Sequence, residues 1–426
     1  SGGLLIGAFL NSTNLVAAQS GVLTAFSGWI PTGTATWTTA GSMDVNGTNP
    51  VAYGATDINA LRFNTAGAFT VTLSGTHTIS SGMLLVTPNV GANSSNITGG
   101  VLRAAPGGEF TVAQFNAAGA LEIASSIEDN TTATAFTKTG PGLLILTGTN
   151  TYTGITRVNE GVLRAADGTG LPVASTLVLN GGVFESSSAL FDRSLGAAAG
   201  EVSVIGTTAG FSAAGIPAVV NFGGAGAGIV WGDADFNPGT LILNAFTATN
   251  TLDFINGIDL NGGARTIQTD ANIASISGII SNSDSGTPAS LTKTGGGTLV
   301  LANANTLDGG VTVSAGTLGI GDDLALGSGL LTLSGGGVQA TDAAHIIAND
   351  VRLASSSIVN GANGLTFTGD FTSAGNYGLT TNLTGGAVLE LAGNVYLSDS
   401  AAASRSLSFF GSGDRIISGI IANNAG

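Results

Sequence analysis

Apolar and polar residues alternate along most of the chain in short runs that end at glycine or asparagine. Phe63–Val71 and Phe115–Ile123 (FNTAGAFTV and FNAAGALEI) show this pattern, and the stretch between them repeats it in runs of four to six residues. An alternation with a period of two residues is typical of a β-strand with one buried face. The apolar runs are rich in Val, Ile, Leu and Thr, which also favour strands. The pattern therefore predicts many short strands joined by tight turns.

One stretch of the chain occurs twice. Phe136–Leu163 and Leu291–Leu318 align without a gap, 155 residues apart. The matched positions include the only two lysines of the chain and two asparagines: Lys138 with Lys293, and Asn150 with Asn305. A long internal repeat in so uniform a chain indicates stacked structural units rather than one active site.

These patterns together predict an all-β parallel β-solenoid. One coil cannot bury its apolar face alone, whereas stacked coils share a continuous core. We expect about 19 coils of three short strands, with about 22 residues per coil and a length of roughly 90 Å at ~4.8 Å per coil. Glycine at the corners would supply positive φ, and Asn150 and Asn305 can tolerate the same geometry and could stack in a ladder. A propeller or a row of sandwiches fits the repeat spacing less well.

Composition narrows the functional classes. The chain has 426 residues, 68 of them glycine, with 9% charged residues and a mean hydropathy of +0.40, which is too apolar for disorder. The net charge of −15 argues against nucleic acid and against anionic membrane surfaces. Without cysteine there are no disulfides or zinc–thiolate sites, and no apolar run reaches the ~18 residues of a membrane helix.

The chain divides into two predicted regions. Residues 1–59 form irregular β-rich coils, and residues 60–426 form a continuous repeat solenoid. Within the solenoid, blocks 121–190 and 274–340 are related, and 405–426 begins a third. No charged-then-apolar leader is visible at the start, so we expect any export signal to be removed or to lie outside this sequence. We likewise expect this sequence to be a segment of a longer repeat array.

The repeated block resembles a known family. Its pattern T-K-T-G-x-G-x-L-x-L-x-x-x-N-T-x-x-G followed by V-x-x-G-x-L is similar to the passenger-associated β-strand repeat of autotransporter-type surface proteins. The middle stretch, from FDRSLGAAAGEV to DLNGGARTI, resembles giant exported repeat proteins of planctomycetes and verrucomicrobia. The resemblance implies a right-handed parallel β-helix exported to the cell exterior. It implies little about function, because such repeats are scaffolds for many different tips.

Acidic and histidine residues are candidates for catalysis. Asp322 and Asp323 form an adjacent pair, as polysaccharide-degrading β-helix enzymes would need, but Asp322 aligns with Asp167 of the first repeat and so is better interpreted as a loop residue. The only histidines, His77 and His345, lie far apart in the sequence, which argues against a triad or a multi-histidine metal site. We expect His77 to face solvent from a strand.

Three further segments carry possible binding chemistry. Asp233–Gly239 begins like a calcium loop but has Pro238 where glycine is needed, so a turn is favoured. Trp29 and Trp37 could form a platform for a sugar, or cap the open end of the core, and we favour the cap. The glycine-rich run Gly223–Gly228 lacks the lysine and helix of a phosphate loop, so a coil corner is favoured.

The sequence as a whole favours a non-enzymatic extracellular structural protein at the bacterial cell surface, forming a stalk, coat or fibre. We assign no catalytic, cofactor-binding or metal residues and expect no cofactor. The expected partner is another copy of the chain, end to end or laterally, with a filament as one form of this association, and with no nucleic acid and no membrane insertion. One alternative is an adhesin that binds a surface or a cell-surface glycan. A less favoured alternative is a polysaccharide-degrading enzyme that uses Asp322.

Overall fold

The computed structural model describes residues 3–11, 13–19, 22–32, 37–49, 52–224, 227–284, 286–400, 403 and 405–424. These residues are almost entirely strands and turns, with one short 3₁₀ helix among them, Pro88–Val90. The chain forms two compact units, one of residues 1–188 and 193–210 and one of residues 189–192 and 211–426. The strand Thr208–Ala213 contains a boundary between them.

In the first unit, parallel strands stack into three sheets, one for each side of a coil. The first sheet contains, in spatial order, Trp29–Pro31, Ser42–Val45, Ile58–Phe63, Thr76–Val86, Glu109–Gln114, Ala135–Thr139, Thr156–Val158, Leu177–Asn180 and Val202–Ile205. The second contains Thr70–Thr72, Ser95–Thr98, Leu121–Ile123, Leu143–Leu146, Gly161–Ala165 and Gly182–Ser186. On the third side, the beginning of Thr76–Val86 pairs with Val101–Ala104, which pairs with Ser126–Ile127.

The second unit repeats this arrangement. Its first sheet contains Thr240–Leu243, Ala264–Gln268, Ser290–Thr294, Val311–Val313, Leu331–Leu333, Val351–Leu353, Phe371–Ser373, Val395–Ser398 and Ile421–Asn424. Its second contains Leu190–Asp192, Ala218–Asn221, Leu252–Phe254, Ile273–Ile276, Thr298–Leu301, Thr317–Ile320, Gly337–Ala340, Ser357–Gly361, Tyr377–Leu383 and Leu407–Phe410. The third side has two groups: Gly228–Val230, Gly257–Asp259 and Ile280–Ser281, then His345–Ile347, Leu365–Phe367, Val388–Leu391 and Asp414–Ile417.

The core is built from columns of aligned apolar side chains. In the second unit Leu331 pairs with Val351, and Val351 with Phe371, and all three are at most 1% exposed. Their chain neighbours point outward and are partly exposed, as the period of two requires. Each buried side chain of this size contributes about 1.5–3 kcal/mol, so stacking supplies the stability that no single coil has. The predicted fold class, an all-β parallel β-solenoid of short three-strand coils, is confirmed.

The number of coils is smaller than predicted. The solenoid has about 15 turns, against the 19 expected from a uniform coil of about 22 residues. Paired residues on successive coils are 20 apart at Phe136 and Thr156, but 34 apart at Val220 and Phe254. Longer corner loops in some coils therefore use residues that the sequence estimate had assigned to additional coils.

The N-terminal strands differ from the rest in direction. Gly3–Asn11, Asn14–Gln19 and Val22–Ala25 form an antiparallel sheet, which lies beside the parallel strands of the first unit. From this region Leu15 packs in a cluster with four buried residues of the parallel sheet, Ala60, Met83, Leu85 and Ala113. The antiparallel sheet thus covers an outer face that would otherwise expose apolar side chains. The predicted division at residues 59 and 60, and the repeat blocks beyond it, stay predictions.

Candidate functional site

The two lysines of the repeats point into the core. Lys138 and Lys293 occupy inward positions of their strands, and both are 0% exposed. The ammonium of Lys138 donates to the backbone carbonyl oxygens of Thr139, Gly140 and Glu160. That of Lys293 donates to the matching carbonyls of Thr294, Gly295 and Ala315, at 2.7, 2.8 and 3.3 Å. Three acceptors match the three donors of an ammonium, so each lysine joins its own corner to the corner of the next coil.

The corner that receives the lysine requires glycine. Gly161 and Gly316 have φ of 67° and 62°, in the left-handed region that glycine adopts without strain. A Cβ on Gly161 would lie 2.6 Å from the carbonyl oxygen of Gly140, and one on Gly316 would lie 2.4 Å from that of Gly295. Glycine here therefore provides both the turn and the close approach of successive coils. The prediction of positive-φ glycine corners is confirmed at these positions.

Burial changes the acidity of both lysines. Desolvation lowers the pKa of Lys138 to about 7, partly offset by the charge of Glu160. Desolvation lowers the pKa of Lys293 to about 8, partly offset by the charge of Asp270. A lysine that lies in a cleft and has a lowered pKa is a candidate nucleophile. These two are enclosed by strands and hydrogen-bonded to backbone carbonyls on every N–H, so their arrangement fits structural attachment of coils.

The repeat asparagines bridge three successive coils. The side-chain oxygen of Asn150 accepts from the backbone N–H of Ile127 at 2.8 Å, and its amide group donates to the carbonyl of Gly170 at 2.7 Å. Asn305 makes the same pair of bonds, to the N–H of Ile280 and the carbonyl of Ala325, both at 2.7 Å. Neither asparagine has positive φ. The expectation of left-handed, ladder-forming asparagines is therefore wrong: each amide takes the place of a backbone peptide group between two coils.

The segments that contain these corners are also the ones that a known protein family matches. The family model described as passenger-associated-transport-repeat matches residues 136–165 and 291–320, which contain both lysine corners and both asparagine bridges. The chain therefore contains two segments that are similar to the passenger repeat of autotransporters. The chain is also similar to an adhesin, the BmaC autotransporter of Brucella suis biovar 1 (strain 1330), with 29% identity over 304 residues. No solved structure matches the chain.

The relative is much longer than this chain. The similar region covers 65% of this chain and 9% of the adhesin. Autotransporter passengers are exported, so at this coarse level the protein belongs to the cell surface. No helical segment within the described ranges combines the length and apolar character needed to cross a bilayer. The narrower likeness to giant planctomycete and verrucomicrobial proteins stays an expectation.

The two passenger repeats differ in one part of their cores. In the first repeat the buried hydroxyl of Tyr152 lies 2.8 Å from that of Thr156, which lies 2.8 Å from that of Ser175. In the second repeat the matching positions are the buried aliphatic residues Leu307 and Val311. The corner accepts either a hydrogen-bonded polar chain or an apolar filling, whereas the lysine and asparagine are kept in both repeats.

The acidic pair separates into two different roles. The carboxylate of Asp322 accepts from the backbone N–H of Leu324 at 2.7 Å, as a turn residue does. Its repeat equivalent Asp167 instead forms an ion pair with the buried Arg193. Asp323 lies 2.9 Å from Nδ1 of His345. The two members of the proposed pair therefore have separate partners.

His345 is the centre of a cluster of titratable side chains that was not predicted from the sequence. Its Nε2 lies 2.9 Å from Asp342, so the ring is held between two exposed carboxylates. Burial alone lowers the pKa of His345, but the hydrogen bonds and charges of Asp342 and Asp323 outweigh it and raise the pKa above its ordinary value. Asp323 and His345 are 22 residues apart, one coil in the sequence, and that spacing was the available signal.

His77 does not face solvent, so that expectation is wrong. The side chain is 0% exposed, and its Nε2 lies 3.1 Å from the carbonyl oxygen of Ser74. Its ring meets the edge of Trp37 at a centroid distance of 5.3 Å. Trp37 stacks on Tyr53 at 4.7 Å and is 5% exposed, which fits the core-capping interpretation rather than a sugar platform.

Trp29 is less enclosed. It lies on the first parallel strand and packs against the buried cluster that contains Leu15. The guanidinium of Arg62 lies 4.3 Å from the centre of its ring. Arg62 also pairs with Asp44 at 2.7 Å. The face of this tryptophan is thus used by an intramolecular cation, which again fits a structural role.

The remaining two candidates form corners. In Asp233–Gly239 the backbone N–H of Phe236 donates to the carbonyl of Asp233, and the indole of Trp231 donates to the carbonyl of Pro238. Within the described ranges no group of three or more metal-ligating side chains is placed to hold an ion. Asn256 donates to the carbonyls of Phe222 and Ala227, which closes the corner around the described part of Gly223–Gly228.

Proposed function

We propose that this chain is a non-enzymatic structural segment of an exported passenger, a spacer that supports other parts of its protein at the cell surface. The observation that carries the proposal is the direction of the repeat's distinctive residues. Lys138 and Lys293, with Asn150 and Asn305, point inward and bond the backbones of neighbouring coils. A repeat kept for surface chemistry would place its distinctive side chains outward.

Removal of one coil tests this proposal. Leu331, Val351 and Phe371 occupy one column at intervals of 20 residues, so deletion of residues 332–351 joins equivalent positions. A spacer with one coil fewer should fold, keep its circular dichroism spectrum and still be displayed at the cell surface. Deletion of residues 332–341 is the control, because half a coil breaks the column and should prevent folding.

An enzymatic activity of the chain on polysaccharides would contradict this proposal. The intact chain is incubated with a panel of polysaccharides, including pectin-like polymers, and assayed for new reducing ends and unsaturated products. A turnover that disappears in Asp322→Asn would overturn the non-enzymatic proposal. The absence of turnover, together with folding of the coil deletion, supports it.

Self-association belongs to the same proposal. A solenoid coil that is not covered by a further coil presents an unpaired strand edge, and such an edge can pair with another chain. Electron microscopy of the purified chain should show end-to-end particles, and uniformly short single particles would contradict this part.

Adhesion is a second candidate function. The similar protein from Brucella suis is named an adhesin, and one outer face of the second unit carries an open groove lined by apolar, aromatic and charged side chains. Binding of the purified chain to a glycan array or to host cells would favour this candidate over a purely structural role.

A further inference from the structure

In the second unit, one column of outward-facing side chains has an even height along part of its length and then contains a depression. Parallel pairing aligns partly exposed side chains on successive coils: Thr292, Thr312, Thr332, Arg352, Thr372 and Tyr396. The first three are threonines of equal size. The short Thr372 then lies between the long side chains of Arg352 and Tyr396, which leaves a depression above it.

This depression is a groove of about 250 Å³. Arg352, Thr372 and Tyr396 line one side, and the corner residues Leu330, Asp350 and Asp370 line the other. A pocket that encloses a whole small molecule has about 300–1,000 Å³. The groove is smaller and open, so it suits one ring of a longer chain rather than an enclosed ligand.

The two carboxylates of the groove are held in fixed orientations. One oxygen of Asp350 accepts from the backbone N–H of Asp370 at 2.8 Å. One oxygen of Asp370 accepts from the backbone N–H and the side-chain amide of Asn394, both at 3.1 Å. Within the described part of the chain, the second oxygen of each carboxylate has no protein hydrogen bond. Acceptors fixed before binding lose little entropy when a ligand donates to them.

The opposite side of the groove supplies donors and an aromatic surface. Arg352 is held by an ion pair with Asp399 at 3.1 Å, which leaves its other N–H groups available. The hydroxyl of Tyr396 has no hydrogen-bond partner among the described residues, and its ring borders the groove. A pyranose ring has the complementary surface, because its hydroxyls both donate and accept while its C–H face packs on an aromatic ring.

Charge restricts the ligand further. The two carboxylates at the corner repel an acidic sugar or a phosphate, and the net charge of −15 acts in the same direction. A cationic ligand would meet Arg352 on the opposite side. We propose that this groove binds a neutral pyranose unit of a polysaccharide or glycan. The proposal rests on the second candidate function, adhesion, and gives it a location and a ligand class.

The test uses the full chain and a glycan array that carries neutral glucans, mannans and galactans beside acidic polymers. We expect binding to neutral glycans, reduced at least tenfold in Tyr396→Ala and in Asp370→Asn. The asparagine variant keeps an oxygen for the bonds from Asn394, so it tests the charge rather than the fold. Thr312→Ala lies in the same column outside the groove and should bind within twofold of the wild type.

Each contrary result separates the groove from the wider proposals. Neutral-glycan binding that is unchanged in Tyr396→Ala would overturn the groove but leave adhesion standing. Preferential binding of acidic polymers would overturn the ligand class. No binding by the wild-type chain would overturn both the groove and adhesion, while the structural proposal, tested by coil deletion, would be unaffected. Circular dichroism of each variant confirms that a loss of binding is not a loss of fold.

Discussion

Lys138→Met removes the ammonium that joins two corners of the first passenger repeat. Methionine has a similar length and is apolar, so it fills the space among the strands without adding a void. Three backbone carbonyls share the N–H groups of this amine, and all three lose that donor in the variant. A buried acceptor left without a partner costs about 1–3 kcal/mol, so we expect a clear destabilisation at alkaline pH.

The effect of this substitution should depend on pH. The pKa of Lys138 is about 7 in the folded protein and 10.5 when unfolded. Between these values the unfolded chain binds more protons than the folded one, so wild-type stability rises as the pH increases. The slope approaches about 1.4 kcal/mol per pH unit, which gives about 2 kcal/mol between pH 7 and pH 9. Methionine does not titrate, so the variant lacks this rise.

Guanidinium denaturation followed by circular dichroism at pH 7 and pH 9 measures the difference. All other titrating groups are common to the two chains, so their contributions cancel in the comparison. Lys293→Met is the matched control in the other repeat: its pKa is about 8, so its pH dependence should begin one unit higher and be smaller over this interval. A difference between wild type and Lys138→Met that is constant from pH 7 to pH 9 would refute the reasoning.

Three further predictions have defined outcomes. Asn150→Ala should cost about 2–5 kcal/mol because it unpairs a buried N–H and a buried carbonyl, and Asn305→Ala should match it in denaturation experiments; a cost below 1 kcal/mol for either would contradict the bridging role. Tyr152→Phe should cost about 1 kcal/mol, and adding Thr156→Val should cost little more, since the second repeat is aliphatic there; a much larger loss in the double variant would show that the polar chain is required. His345→Gln should lower the melting temperature most between pH 4 and 6.5, because the raised pKa of His345 stabilises below its unfolded value of 6.5 and the two aspartates stabilise above 3.8. That difference should shrink as the pH rises through the raised pKa of His345, and a difference that is constant with pH would argue against a charged clamp.

Local patterns were sufficient to predict the fold class. The alternation of residues defined strands, and the gapless alignment of Phe136–Leu163 with Leu291–Leu318 required equivalent surroundings for each pair. The structure gives Lys138 and Lys293 the same three kinds of backbone partner. The number of coils was harder to predict, because corner loops vary in length without changing the strands that they connect.

Side-chain direction was harder to predict than strand position. A period of two fixes which residues share a face, but not which face is buried when both carry small polar residues. His77 lies in Thr-His-Thr, where flanking threonines gave no apolar signal, and its ring is nonetheless enclosed beside Trp37. Contacts between coils, such as Asp323 with His345, became visible only when the register was known.

Buried polar residues in the repeats also help to fix the register between neighbouring coils, which the alternation of apolar and polar residues does not specify. A slip of two residues between neighbouring coils keeps every apolar side chain inward, so aliphatic columns alone specify register weakly. The same slip would move the amide of Asn150 by about 6.6 Å, beyond the reach of the N–H of Ile127 and the carbonyl of Gly170. Each group left unpaired costs about 1–3 kcal/mol, so the repeat blocks discriminate against shifted stacking more strongly than aliphatic coils do. We expect these blocks to fix the register for the more variable coils beside them, which explains why the lysine and asparagine are kept in both repeats while Tyr152 is not.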